Sequence, residues 1–464
     1  MGVIDYLNLN KHLYKHSKEQ IKAYQEEEIL KLINHAIENS EYYRKMYGGK
    51  RISNLDDFYK LPLMNKQILM ENFDGINTCG LKLSEVKEYA LIKEENKDYQ
   101  GYYHGDYVIG LSSGTSGNKG IYITPKAMTK RLPYVFLARS GIPLKLLPFR
   151  ILFLLRVFSQ GFDDINSPFI KLKYLSTMTP VEKIIEEINN RRINILMGPP
   201  SLIRLILPHK SKIKSKIKMI ICYAEVLETE DKERFSREFN TKVIEIYQAS
   251  EGQIGSTCKH GTLHINEDLV MIELYDSNGE PVTKADVVAS KMLITNLVNN
   301  SQPLIRYEMN DLIVLGEPCT CGSNFRVIKK VLGRHDDVLY FKTISGETQH
   351  IFPDLFSRWI INTSDRIREF KVIQKSDNAI VILLDLFELD EVKNDNANEN
   401  SEHELSKEMI DQDFRQTIIK NIKERIEKEL LEFNIKIDVM VTVEEIPLPQ
   451  DMAKYKRFYN CSVI

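Results

Sequence analysis

The residues best suited to chemistry stand together in Leu111-Ser112-Ser113-Gly114-Thr115-Ser116-Gly117-Asn118-Lys119-Gly120. Tyr107-Val108-Ile109 leads in and Ile121-Tyr122-Ile123 follows, so the pattern predicts strand, small-residue loop, strand. Glycine lets a backbone close on a phosphate without a Cβ clash, and the hydroxyls add further donors. The stretch does not match G-x-x-x-x-G-K-[ST], and no helix pattern opens directly behind it, which argues against a P-loop or a dinucleotide fingerprint. On its own the cluster is also ordinary turn chemistry.

Four companions follow in order: Tyr247-Gln248-Ala249-Ser250-Glu251-Gly252, Arg306-Tyr307-Glu308-Met309-Asn310-Asp311-Leu312, Gly333-Arg334-His335-Asp336-Asp337 and Ala453-Lys454-Tyr455-Lys456-Arg457. Taken singly, Glu251 reads as a surface acid, Tyr247 as a core aromatic and the last stretch as a basic tail. A separate signal is metal-like. Cys258-Lys259-His260 and Cys319-Thr320-Cys321-Gly322 offer three thiols and an imidazole, the donor set of a closed tetrahedral zinc site. His264 is a spare candidate for that set, although between Leu263 and Ile265 it is read first as an orienting or packing residue. Cys79, Cys222 and Cys461 stand apart, and neither a Ser/His/Asp triad motif nor Gly-x-Ser-x-Gly is present.

The elements that must position these residues form more than one domain, because 464 residues exceed a single core. A 43% hydrophobic and 28% charged composition is that of a globular chain, and a net charge of −2 gives no bulk attraction to nucleic acid or anionic membrane. The most apolar run, Ile151–Leu155, is too short for a membrane span. No signal core opens the sequence, so a reducing, cytoplasmic setting is expected for the six cysteines. Residues 10–47 carry helical apolar spacing. From about 105 to 250, apolar runs (Tyr107–Leu111, Ile151–Leu155, Ile193–Met197, Met219–Tyr223, Lys242–Tyr247) alternate with helical patterns such as Val181–Asn190 and Thr229–Glu238. That alternation predicts an α/β domain with mostly parallel sheets flanked by helices. Residues 262–345 change to short alternating strands, a β-rich subdomain, and a small α+β region closes the chain with a helix from about Asp411 to Glu432 and a strand Ile435–Val443. Polar, low-complexity Asn394–Ser401 is read as a flexible loop.

In this order the five motifs resemble the adenylate-forming superfamily of acyl-CoA synthetases, adenylation domains and luciferases, and within it the phenylacetate–CoA ligase branch. Tyr42-Tyr43-Arg44 and Leu55-Asp56-Asp57-Phe58…Leu61-Pro62…Lys66 are similar to that branch too, so the resemblance spans nearly the whole chain. It implies an N-terminal adenylation domain over 1–334 and a small mobile C-terminal domain over 335–464. It implies ATP-dependent activation of a carboxylic acid to an acyl-adenylate, then transfer to a thiol, coenzyme A first among the acceptors. Ser112, Ser113, Gly114, Thr115, Ser116 and Gly117 would cradle the phosphates. Glu251 would hold Mg²⁺, Tyr247 would stack on adenine with Ser250 beside it, and Asp311 would accept the ribose hydroxyls. Arg334 would sit near ribose and α-phosphate, Asp336 would be the hinge, and Lys454 the mobile catalytic lysine. The branch also implies a structural zinc on Cys258, His260, Cys319 and Cys321. The acyl pocket would draw on Pro199, Tyr223, Ala224 and Glu225, suiting an aromatic or otherwise apolar acid. Gly120, Asn310 and Ala453 depart from the family's Lys, Gly and Gly. An amide ligase, a carrier-protein loader and a non-catalytic zinc-stabilised relative stay open as alternatives, as do an acyl carrier protein and a second copy of the chain as partners.

Overall fold

The structure, a computed structural model, describes residues 3–96, 101–111, 120–155, 166, 169–177, 179–334, 337–364, 366–387, 404–447 and 456–460. A ten-stranded sheet organises the large lobe. Five strands form its parallel half in the spatial order Lys242–Ala249, Met219–Cys222, Ile195–Gly198, Phe149–Leu155, Ile170–Ser176. The three inner strands, Met219–Cys222, Ile195–Gly198 and Phe149–Leu155, are nearly all apolar because both faces are covered. Leu152, Leu154, Leu196 and Ile220 pack against helices Val181–Asn190, Pro200–Ile206 and Thr229–Phe239. Ile151, Phe153, Met197 and Ile221 face the other way, toward Leu132 and Phe136 of helix Leu132–Arg139. Helix Thr229–Phe239 stops where Asn240 turns left-handed, at φ 47°.

The β-rich region divides between the ten-stranded sheet and a smaller one. The hairpin from Lys242–Ala249 into Gly252–Thr257 reverses direction, and Leu263–Ile265, Val327–Arg334, Asp311–Gly316 and Val288–Ala289 extend the same sheet antiparallel. A second, three-stranded sheet of Val270–Tyr275, Lys291–Asn296 and Tyr307–Met309 packs nearby. The helical spacing of 10–47 resolves into Val3–Lys15, Lys18–Asn39 and Glu41–Met46. Ser17 closes a capping box with Gln20, and Ser40 caps the third helix through Tyr43 N.

The C-terminal region is α+β with a core of its own. A four-stranded sheet runs Asp438–Val443, Ala379–Leu386, Ile367–Ser376, Phe458–Asn460. Helix Glu404–Glu432 lays Ile418, Ile422, Ile426 and Leu430 on it, an i, i+4 stripe. Truncating one, such as Ile422→Ala, is expected to cost about 2–5 kcal/mol. The Asn394–Ser401 loop lies outside the described residues.

Candidate active site, acyl cavity and metal cluster

The strand Lys242–Ala249 is the seam between the two halves of the large sheet, and the candidate site grows from its end. A bulge in the returning strand, with Gln253 and Ile254 opposite Gln248, flanks a two-residue turn, Ser250-Glu251. Tyr247 Oη donates to Asp311 Oδ2 at 2.6 Å. Asp311 is paired in register with Arg334 on the neighbouring strand, and Arg334 Nε lies 3.9 Å from Asp311 Oδ1. Burial and the Asp311 carboxylate push the Tyr247 phenol well above its ordinary range, so it stays a donor. A carboxylate with its second oxygen toward an arginine can accept hydroxyl donors such as those of a ribose.

Glu251 is held by the segment that follows the small-residue loop. Tyr122 Oη donates to Glu251 Oε1 at 2.7 Å and lies 3.2 Å from Tyr307 Oη, while Asn296 Nδ2 donates to the Glu251 carbonyl at 2.8 Å. Gln302 clamps the Tyr122 strand, accepting from Ile123 N and donating to the Ile121 carbonyl. Leu111 pairs with Ile121, so both roots of the 112–119 loop stand beside Glu251. The phosphate-cradle residues Ser112, Ser113, Gly114, Thr115, Ser116 and Gly117 themselves lie outside the described residues, as do Asp336 and Lys454.

Lys66, Tyr122 and Tyr307, which stand in the quoted stretches without an assigned role, join this cluster. Desolvation pushes the Lys66 ammonium down, Glu251 pulls it up and Arg334 adds a downward push, which puts Lys66 in the field of both. A short parallel bridge fixes it: Met64 N donates to the Arg306 carbonyl and Glu308 N to the Met64 carbonyl. Arg306 is a scaffold residue. Its guanidinium is bidentate to Glu273 and also binds the Tyr59 and Leu61 carbonyls.

An apolar cavity of about 650 Å³, counting its mouth, opens beside the Ser250-Glu251 turn. Phe136, Ile151, Phe153, Met197 and Ile246 make its walls, Gln248 and Gln253 flank the turn end, and Arg139, Ser140, Ser256 and Asn266 also line it. Pro199, Tyr223, Ala224 and Glu225 are not in this lining. Tyr223 is buried behind it, donating to the Leu154 carbonyl and tilted 30° against Phe153 at 5.3 Å. Ala224 is exposed with φ 68°. Strand register, which decides which side chains share one face, is what the sequence reading lacked.

Glu225 belongs to a charge cluster between the lobes. Its carboxylate takes Ser201 N at 3.2 Å and Ser201 Oγ at 2.8 Å and lies 3.7 Å from Arg457 Nη2. Arg457 is bidentate to Glu369, at 2.7 and 2.9 Å. Arg204, from the large lobe, reaches Asp231 at 3.2 Å and Glu369 at 3.5 Å. Burial alone would raise the Glu369 carboxyl, but Arg457 and Arg204 hold it below its ordinary range. Lys456 pairs with Asp337 at 3.4 Å, tying the C-terminal strand to the segment after Arg334.

The metal-like cluster needs one correction: its histidine is His264, not His260. Ligand atoms of Cys258, His264, Cys319 and Cys321 lie within 4.8 Å of one another. His260 falls in the exposed turn, where its backbone N–H donates to Cys258 Sγ at 3.3 Å. His264 lies on the short strand and is buried, its Nδ1 at 2.9 Å from the Phe325 carbonyl and its Nε2 at 3.5 Å from Cys321 Sγ. Cys258 and Cys319 sulfurs are 3.9 Å apart. A tetrahedron with bonds of about 2.3 Å to sulfur has edges of about 3.8 Å, so the donors fit Zn²⁺. Burial raises the Cys258 thiol, but hydrogen bonds from His264 and from backbone amides bring it down to about 5, favouring the thiolate a metal takes.

No protein-family model matches the chain. A phenylacetate–coenzyme A ligase from Thermus thermophilus is 28% identical over 193 residues, 41% of this chain. The chain thus matches 39% of that relative's length, under two thirds of it. Among solved structures, 2-hydroxyisobutyryl-CoA ligase in its postadenylation state, with R3-HIB-AMP, superposes with a TM-score of 0.69. That match is 14% identical and covers 97% of this chain and 91% of that one. The same ligase with 2-HIB-AMP and CoA in its thioesterification state gives 0.57 at 15% identity, again covering 97% and 91%. These relatives are CoA ligases of the adenylate-forming superfamily. This chain has their fold. Among the described residues no helix is long and apolar enough to cross a membrane.

Proposed function

We propose that the protein is an ATP-dependent acid–thiol ligase that activates an apolar carboxylic acid as its acyl-adenylate and passes the acyl group to coenzyme A. One observation carries this reading: Tyr247, Asp311 and Arg334 form one contact chain, and Glu251 stands beside it with both roots of the small-residue loop. The substrate carboxylate oxygen attacks the α-phosphorus of ATP, a P–O bond forms, and the bond to pyrophosphate breaks. Charge moves onto phosphoryl oxygens, so fixed positive groups and hydrogen-bond donors lower the barrier. Arg334 and Lys66 supply that charge from the described residues. Asp311 takes the ribose hydroxyls, and Tyr247 orients Asp311 while offering its ring to the base. Glu251, an oxygen donor half-buried beside the loop, would hold a Mg²⁺, which neutralises phosphate charge when bound.

The cavity beside the turn receives the acyl chain; its apolar walls support an apolar acid of aromatic or branched shape. Lys454 is assigned the α-phosphate contact in the adenylation step, and the C-terminal lobe is assigned a rotation about Asp336 before thiol capture. The test is an acid panel with ATP, read as carboxylate-dependent pyrophosphate release, then AMP release on adding coenzyme A. Lys454→Ala should abolish carboxylate-dependent pyrophosphate exchange and leave thiolysis of a supplied acyl-adenylate standing. A chain that releases pyrophosphate with no acid of the panel, or that binds no ATP in calorimetry, overturns the reading.

A further inference from the structure

We propose that the Cys258–His264–Cys319–Cys321 cluster shapes the far end of the acyl cavity as well as stapling the fold. The inference rests on the cavity being the acid's site. Three contacts join cluster and cavity. Ser256, in the lining, pairs in register with His264, and Asn266, two residues on, accepts from Ser256 Oγ at 2.7 Å and donates to the Gln253 carbonyl at 3.0 Å. Helix Leu132–Arg139 ends against the cluster: a Cβ on Gly141, at φ +58°, would meet the Thr257 and Cys258 carbonyl oxygens at 3.1 and 3.2 Å. That contact fixes Ser140 and Arg139, both in the lining.

The third contact runs through Phe325. Its carbonyl holds His264 Nδ1, which leaves Nε2 for a metal, and its ring lies 5.7 Å under the Arg139 guanidinium. Arg139 is 3% exposed and is held by the Leu9 carbonyl and Asp268. Asp268 in turn takes His12 Nδ1 at 3.1 Å, and Phe325 packs on Leu13 and Ile21. Loops 258–264 and 319–325 therefore set where Arg139, Ser140, Ser256 and Asn266 stand. The nucleotide residues Tyr247, Glu251, Asp311 and Arg334 form their contacts at the other end of these strands. A bound zinc thus defines the depth of the cavity and leaves the nucleotide end alone.

The experiment compares full-length zinc-loaded protein, the same protein after chelation, and the variants Cys319→Ser and Phe325→Leu. Zinc content is measured by atomic emission, folding by circular dichroism and ATP affinity by calorimetry. Acid KM is taken over straight-chain and aromatic acids of increasing size. Chelation and Cys319→Ser should raise acid KM about tenfold or more and flatten the dependence of kcat/KM on acid size, with ATP Kd within about twofold. Phe325→Leu, which keeps all four ligands, should retain zinc and still flatten the size dependence. Folded, zinc-free protein with unchanged acid KM and size preference overturns the inference. So does a parallel loss of ATP and acid affinity, which would make the cluster a staple for the whole lobe. A zinc-loaded protein that activates no acid fails the ligase reading instead, so the two failures separate.

Discussion

Glu225→Gln tests the charge cluster between the lobes. The amide keeps its oxygen for Ser201 N and can donate its NH₂ to Ser201 Oγ, while the charge facing Arg457 is removed. At 3.7 Å the gross attraction between the two charges is about 4–5 kcal/mol at an effective dielectric of about 20. Both groups are mostly buried, at 18% and 12% exposure, so screening is weak but desolvation offsets much of that attraction. Arg457 also keeps its bidentate bond to Glu369 within its own lobe, so it is not stranded. A net loss of about 1–2 kcal/mol of closure energy is left, a factor of about 5–30 in the equilibrium between the lobe arrangement seen here and a rotated one. The assay separates the half-reactions. Carboxylate-dependent pyrophosphate exchange should fall by up to that factor, while thiolysis of a supplied acyl-adenylate should hold or rise. Equal losses in both, or no loss in exchange, refute the assignment of this cluster to lobe closure. Acid offers an independent check. Glu369 has a folded pKa below its unfolded one, so its contribution is full above the ordinary glutamate range and is lost as pH falls through the depressed value. Lobe closure read by small-angle scattering should therefore be insensitive to pH near neutrality and weaken only below about pH 4.5.

Asp311→Asn keeps the shape and removes the charge that faces Arg334; ATP affinity measured by calorimetry should drop about tenfold or more, with the melting temperature nearly unchanged. Lys66→Met should slow pyrophosphate release by about tenfold or more while leaving ATP Kd less affected, because a charge aimed at phosphoryl oxygens matters most in the transition state. Tyr122→Phe removes a donor to Glu251, and the apparent Mg²⁺ requirement of the reaction should rise, read as a shifted metal titration. His264→Ala should release zinc and lower the melting temperature, whereas His260→Ala should do neither.

Continuous apolar runs made the parallel half of the sheet legible, because a strand buried on both faces leaves that pattern wherever it sits. Lys242–Ala249 stands where its run predicted it, two residues longer, whereas Tyr107–Leu111 is a strand that leaves the parallel sheet for an antiparallel hairpin with Ile121–Pro125. Ile170–Ser176 escaped because lysines at 171 and 173 interrupt it at the sheet edge. The order of motifs singled out Glu251, Asp311 and Arg334, the residues proposed for the nucleotide, and each of these lies at a strand end or turn where spacing survives. Pairing between distant strands is what a linear reading lacks. Period-two alternation around His264 looked like packing, yet the strand turns its imidazole toward the three thiols. Glu225 was read as acyl lining from the resemblance, together with Tyr223, yet two residues on and past the left-handed Ala224 its carboxylate meets Ser201 and Arg457.

The seam strand explains why one turn can serve two ligands. On Lys242–Ala249, Ile246 and Gln248 face the cavity while Tyr247 reaches Asp311, the alternation of any strand. An acid lying along one face and a nucleotide along the other would meet only where the strand ends, at Ser250-Glu251. The bulge at Gln253-Ile254, opposite Gln248, sharpens that bend and delivers Glu251 to Tyr122 rather than into the sheet. Deleting Gln253 should restore regular pairing and turn the Ser250-Glu251 corner away from Tyr122. ATP would still find Asp311 and Arg334, the acid would still find its cavity, and the two would no longer share a reacting geometry. Retained binding of each alone with pyrophosphate release lost by several orders of magnitude is the expected result. Release within about tenfold of the parent would mean that the turn does not align the reactants.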